Sequence, residues 1–177
     1  MNQIKYYEDV ALSNNDICKL IDGKANIIIY PDLHKYENID QLLEPHGACI
    51  LLFEAKKNYG HWCCLFKQKP NLLEFFNPYG GYPDDSLKYI GTDFRIKSNQ
   101  DYPYLSKLMI DSPYNLSYNE YAFQKHKPDI KTCGRHCSLR IICRDMPINE
   151  YYNFINYYSK KLNLDNDGFV TLLTIKI

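Results

Sequence analysis

The sequence predicts an α+β fold in which a mixed central sheet is flanked by helices, on three observations. Apolar runs of strand length cluster between residues 47 and 77. Apolar residues recur at helical spacing after Ser13, Gly134 and Pro147. Both kinds of segment are mixed along 177 residues that hold no internal repeat, no low-complexity tract and no Pro-, Gly- or Ser-rich linker, which suits a single domain over 1–177.

The first helix signal is Ser13-Asn14-Asn15-Asp16, where Ser13 can cap the backbone and Asp16 stands three residues on. Ile17, Leu20 and Ile21 then give an apolar stripe. Residues 25–30 read as a buried strand stopped by Pro31, and Ile39–Leu43 as a helical turn. Residues 47–53, 61–66 and 72–77 read as strands, and turn chemistry dominates from Pro78 to Asp85. Tyr104–Ile110 reads as a helix closed by Ser112-Pro113, and the aromatics of 118–123 predict a strand. Leu139, Ile141, Ile142 and Cys143 recur with helical spacing. A last helix is expected after Pro147, with Tyr151, Phe154, Ile155 and Tyr158 facing inward, and 169–177 is expected to close the sheet as a strand.

Composition excludes several classes. Lys+Arg and Asp+Glu both number 21, so the chain has no strong pull toward nucleic acid or an anionic membrane. The longest apolar run, 48–53, falls far short of the roughly 20 residues of a spanning helix. The stretch from Met1 to Tyr7 has no apolar core or small-residue cleavage site, so no signal peptide is expected. Seven cysteines without a leader then imply a reducing compartment, and the odd count resists a fully paired disulfide framework.

One hairpin places a base beside an orienting group. Two apolar runs flank the polar loop 67–71. Partner numbers in an antiparallel pair sum to a constant, so Phe66 opposite Leu72 sets His61 opposite Asn77. The two side chains then share a face, and the Asn oxygen can accept the Nδ1 proton of the imidazole. Either residue alone also fits a plain role, a strand-end histidine and an asparagine that opens a turn with Pro78.

Cys133 is the matching nucleophile. It opens the helical pattern within Thr132-Cys133-Gly134-Arg135-His136-Cys137, where the helix dipole is expected to lower its pKa. Gly134 is expected to leave room for a substrate backbone, and the backbone N–H at this turn to bind an oxyanion. Gln124, nine positions earlier, can donate from the other side. Cys63, Cys64, Cys137 and Cys143 read as small buried hydrophobes. Cys133, His136 and Cys137 also allow a metal reading, but no second ligand pair accompanies them. Lys125, His126, Lys127, Lys131 and Arg135 form a local basic cluster that reads as a solvated loop.

The order His61-Trp62, Phe76-Asn77-Pro78-Tyr79-Gly80, Gln124 and Thr132-Cys133-Gly134 resembles the adenain-like cysteine proteases. That group includes the adenovirus maturation proteinase and the SUMO-specific deconjugating proteases. The Cys-Gly-Arg-His continuation is most similar to proteases of large DNA viruses and their satellite virophages. The matching span is His61 to Cys137. Two features depart from the pattern. Asn77 stands where Asp or Glu is commoner, and the interval from Gln124 to Cys133 is longer, with the excess in 125–131.

The resemblance implies a papain-like core in the adenain-type chain order and a cysteine endopeptidase. It makes Cys133 the nucleophile, His61 the base and Asn77 its orienting group. Gln124 and the Cys133 N–H form the oxyanion hole, with Trp62 beside the substrate channel. No cofactor or metal is implied. The implied substrates are virion and capsid precursors cut after glycine, at Gly-Gly-X or Gly-X-Gly sites, in the viral factory of the host cytoplasm and in the virion. An activating peptide or virion component is a further implied partner, while a membrane partner and strong nucleic-acid binding are not expected. A deconjugase for a ubiquitin-like protein, an acetyl transferase and a catalytically silent binding module or virion component are the alternatives.

Overall fold

A computed structural model describes residues 2–175. Its centre is a five-stranded mixed sheet in the order β1 (Asn26–Ile29), β2 (Ala48–Lys56), β3 (Tyr59–Lys69), β4 (Leu72–Phe76) and β5 (Asn115–Tyr118). The inner pairs β2/β3 and β3/β4 are antiparallel, and the outer strands β1 and β5 join parallel to their neighbours. The helices are α1 (Asn2–Glu8), α2 (Asn14–Leu20), α3 (Ile39–Leu43), α4 (Thr92–Lys97), α5 (Tyr104–Ile110), α6 (Cys133–Ile142), α7 (Ile148–Lys161) and α8 (Asn166–Thr174). The α+β class and the mixed, helix-flanked sheet are therefore as expected.

Strand alternation divides the interior into two cores. Ala48, Ile50 and Leu52 of β2, with Trp62, Cys64 and Phe66 of β3, pack against α2, α6, α7 and α8. Cys49, Leu51 and Phe53, with Cys63 and Leu65, pack on the other face against α3, α5 and the 3-10 turn Tyr30–Lys35. Both faces are covered, which is why these strands read as unbroken apolar runs. The seven cysteines are all free, and Cys63, Cys64 and Cys137 are fully buried packing residues.

The Ser13 signal is realised as a full capping box, with the Asp16 N–H donating to Ser13 Oγ at 3.3 Å and the Ser13 N–H to Asp16 Oδ2 at 2.9 Å. Two strand expectations fail. Beyond Tyr118 the chain leaves the sheet, because Asn119 turns inward to bond the Asn77 backbone, and the Phe123 and Gln124 N–H groups both donate to Pro78 O. Tyr121 and Phe123 instead pack, with tilted rings, against Tyr152 and Tyr151 of α7. The tail from Phe169 is the helix α8 rather than a strand. Asp165 caps it by accepting the Gly168 N–H at 2.8 Å, and its β-branched residues Val170 and Thr171 are buried against the helical layer. Residues 176 and 177, included in that strand expectation, lie outside the described residues. On α7, Tyr151 and Ile155 point inward as expected, Phe154 is half-buried, and Tyr158 is exposed.

Candidate active site

The hairpin forms, but its register differs from expectation. Phe66 pairs with Glu74 and Cys64 with Phe76, two residues from the expected alignment. The polar residues Lys67 and Lys69 stay in β3, past an irregularity, so only Pro70 and Asn71 make the turn. Lys67 tolerates this because its amine pairs with Asp40 at 2.6 Å and covers the Tyr114 ring. A shift of two keeps every side chain on its face, whereas a shift of one would have reversed it. His61 and Asn77 therefore still meet, as diagonal neighbours just beyond the paired residues.

The bond between them is His61 Nε2 to Asn77 Oδ1, at 2.8 Å. It uses Nε2 rather than the expected Nδ1, and leaves Nδ1 as the basic nitrogen of the neutral ring. Asn77 is itself held from all sides. Its Oδ1 also accepts the Tyr79 N–H at 3.0 Å, its amide donates to Ser86 Oγ at 3.4 Å, and Asn119 brackets its backbone at 2.9 and 2.7 Å. Gly80 closes the following turn at φ +77, where a Cβ would meet Glu120 O at 2.6 Å. The Tyr79 ring stacks on His61 with centroids 4.3 Å apart and planes 9° apart, and its outer face carries His126 at 4.5 Å.

Cys133 is the first residue of α6, as expected. The expected low pKa is overturned. Burial holds the thiol above its ordinary range, against the lowering effect of the Trp62, Gly134 and Cys133 backbone N–H groups. His61 is pushed down to about 4, first by burial and then by the fields of His126 and His136, with the Asn77 bond opposing. Thiol and imidazole are thus both neutral at rest.

His61, Trp62, Gln124 and Cys133 line one cavity of about 550 Å³. Tyr59, Tyr79 and Tyr89 supply aromatic walls, Ala11 and Leu12 close one side, and the lining contains no carboxylate. Gln124 is 3% exposed; its amide donates to Ile130 O at 3.2 Å and Tyr79 Oη at 3.4 Å, and its Oε1 has no partner. Gly134 does not line the cavity. A Cβ there would come within 3.2 Å of Ile17 and Trp62 and 3.3 Å of Leu12, so this glycine permits close packing under the nucleophile rather than substrate approach.

The basic cluster disperses. Lys125 pairs with Asp165, Lys131 with Asp9, Arg135 is buried against Thr174, and His126 joins the Tyr79 stack. Cys133, His136 and Cys137 do not form a ligand set, and no metal-binding group of three His, Cys, Asp or Glu exists among the described residues. Nor is any described helix long and apolar enough to cross a membrane.

The supporting residues were less visible in sequence. Tyr79 lies within the aromatic-glycine segment, but Asn119 and Ser86 stand in no motif, because their roles arise from contacts between distant segments.

No protein-family model matches the chain. A protein of Sputnik virophage, named Uncharacterized protein V9, is 55% identical over 175 residues, which covers 99% of this chain and 100% of that protein. The chain belongs to the family of that virophage protein. Within the family, the likeness extends well beyond the span from His61 to Cys137, through the sheet and the helices behind it.

Proposed function

We propose that this chain is a cysteine endopeptidase of the adenain type, with a papain-like core read in the order His61, Asn77, Gln124, Cys133. The observation that carries the reading is the His61–Asn77 bond at 2.8 Å, whose imidazole lines a cavity that Cys133 and Gln124 also line. That arrangement joins a base, its orienting amide, a thiol at a helix N-terminus and an amide donor.

In this reading the Cys133 sulfur adds to the scissile carbonyl carbon while His61 Nδ1 takes the thiol proton. The carbonyl oxygen, now negative, lies against the Cys133 N–H and the Gln124 amide, which exchanges its long 3.4 Å bond to Tyr79 Oη for the oxyanion. Collapse breaks the C–N bond, and His61 returns its proton to the amine. Water, deprotonated by the same nitrogen, releases the acid and restores the thiol. Neutral resting groups suit this path, since the proton moves as attack occurs.

The relationship to a virophage protein supports a viral setting. The resemblance to the adenain-like proteases is what suggests virion and capsid precursors cut after glycine, at the viral factory or in the virion. The test is cleavage of acetyl-Gly-Gly-aminocoumarin and of virion proteins from the same virus by the purified chain and its Cys133→Ala variant. Cleavage by the first and not the second is expected. Equal processing by both, or by neither, contradicts the reading.

A further inference from the structure

Asp167, at the start of α8, is 1% exposed and accepts three hydrogen bonds. The Thr132 hydroxyl donates to Oδ1 at 2.6 Å, the His136 ring Nε2–H to the same oxygen at 3.0 Å, and the Lys125 backbone N–H to Oδ2 at 3.0 Å. Thr132 immediately precedes Cys133, and Lys125 immediately follows Gln124. The two ends of the long 125–131 excursion are therefore tied to a single carboxylate. Of the three partners, Thr132 and His136 are fully buried.

Resting on the protease reading, we infer that Asp167 is a positioning residue for the oxyanion hole. One buried carboxylate holds the residue after Gln124 and the residue before Cys133 at a fixed separation, which keeps the two donors within reach of one oxygen once the Gln124 amide gives up Tyr79 Oη. A carboxylate is suited to this because it accepts from several donors at once and donates to none. Asparagine at the same place offers one acceptor oxygen to three donors, and turns an N–H₂ group toward one of them.

The carboxylate has a second, opposite effect that makes the inference testable. Burial is the main cause of the raised Cys133 thiol, and the Asp167 charge adds to it. Asp167→Asn removes that charge, which eases thiolate formation, while it loosens the oxyanion donors. Alkylation needs the thiolate but no oxyanion hole; amide hydrolysis needs both.

The experiment measures acetyl-Gly-Gly-aminocoumarin hydrolysis and iodoacetamide alkylation of Cys133, at pH 7, on the full chain. For Asp167→Asn, kcat is expected to fall about a hundredfold with KM little changed, as for a misplaced catalytic group. Alkylation is expected to stay as fast or to quicken. Thr132→Val, nearly isosteric and without a charge change, gives the same fall in kcat, and Thr132→Ser restores it; this pair decides the matter where Asp167→Asn does not fold. Wild-type kcat in the folded variants overturns the inference alone, as does a parallel fall of kcat and alkylation, the mark of general disruption. A wild-type chain that cleaves no peptide overturns the protease reading and the inference with it.

Discussion

The two ends of α6 carry buried polar groups of opposite character. At the C-terminal end, Arg140 is fully buried and each of its three nitrogens is hydrogen-bonded. It donates to both oxygens of Glu74 at 2.9 Å, to Cys143 O at 2.7 Å and to Met146 O at 2.8 Å, and lies 4.9 Å from the Phe66 and Tyr151 ring centroids. At the N-terminal end, polar atoms are left over. Gln124 Oε1 and His136 Nδ1 are buried without partners, and Cys133 is a neutral thiol beside a cavity. This network joins sheet to helix away from the Cys133 cavity, and the one polar atom left over beside it, Tyr151 Oη, does not line that cavity. The N-terminal end borders that cavity, where Gln124 Oε1 is free to accept from a substrate N–H.

The sharpest way to break this contrast is to remove one residue from each end. Cys133→Ala should lower peptide cleavage by about 10⁶-fold, as loss of a nucleophile that acts as part of a unit does. Its denaturant midpoint should barely move. Arg140→Ala should do the reverse, with a loss of about 3–5 kcal/mol in urea unfolding, because Glu74 is left charged and buried. The joint change of Glu74→Leu and Arg140→Met should recover most of that loss. A stable Arg140→Ala protein would show that the pair is not structural.

Asn77→Ala tests the reactive end more finely. Freed of its acceptor, His61 should lose its fixed orientation, and kcat should fall about a hundredfold.

The pH profile separates the same residues. His61 titrates near 4 in the folded chain and close to 6.5 when unfolded. Between those values the unfolded state binds more protons, so stability is full above 6.5 and is lost as pH falls toward 4. Urea melts of His61→Gln should show a shallower decline over that window than the wild type; parallel curves would mean that His61 is not held neutral. The smallest effect is expected from Tyr79→Phe, which keeps the His61 stack and removes only the 3.4 Å bond from Gln124, for a change of a few-fold in kcat.

Much of the scaffold was legible in the sequence, and for reasons the same contrast explains. Local chemistry marked the Ser13 capping box, the three central strands and the helix that opens at Cys133. Segments whose fate depends on distant partners carry no such local mark. Residues 119–123 look like a strand until Asn119 is seen bonding Asn77, and the β-branched tail looks like a strand until Asp165 caps it as a helix. His61 and Asn77 share a face in the expected and the observed registers alike, since the two differ by an even number of residues. Asp167 and the low basicity of His61 were invisible, because both arise from burial that no local motif records.

The most direct measurement maps covalent labelling by an acetyl-Gly-Gly vinyl sulfone across the seven cysteines by mass spectrometry, in the wild type and in His61→Ala. Accessibility alone favours exposed Cys18 and half-buried Cys143, while Cys133 is only 9% exposed. A single adduct at Cys133 that disappears in His61→Ala is the result expected of a thiol activated by this imidazole. Labelling that begins at Cys18, or that reaches Cys133 equally without His61, would contradict it.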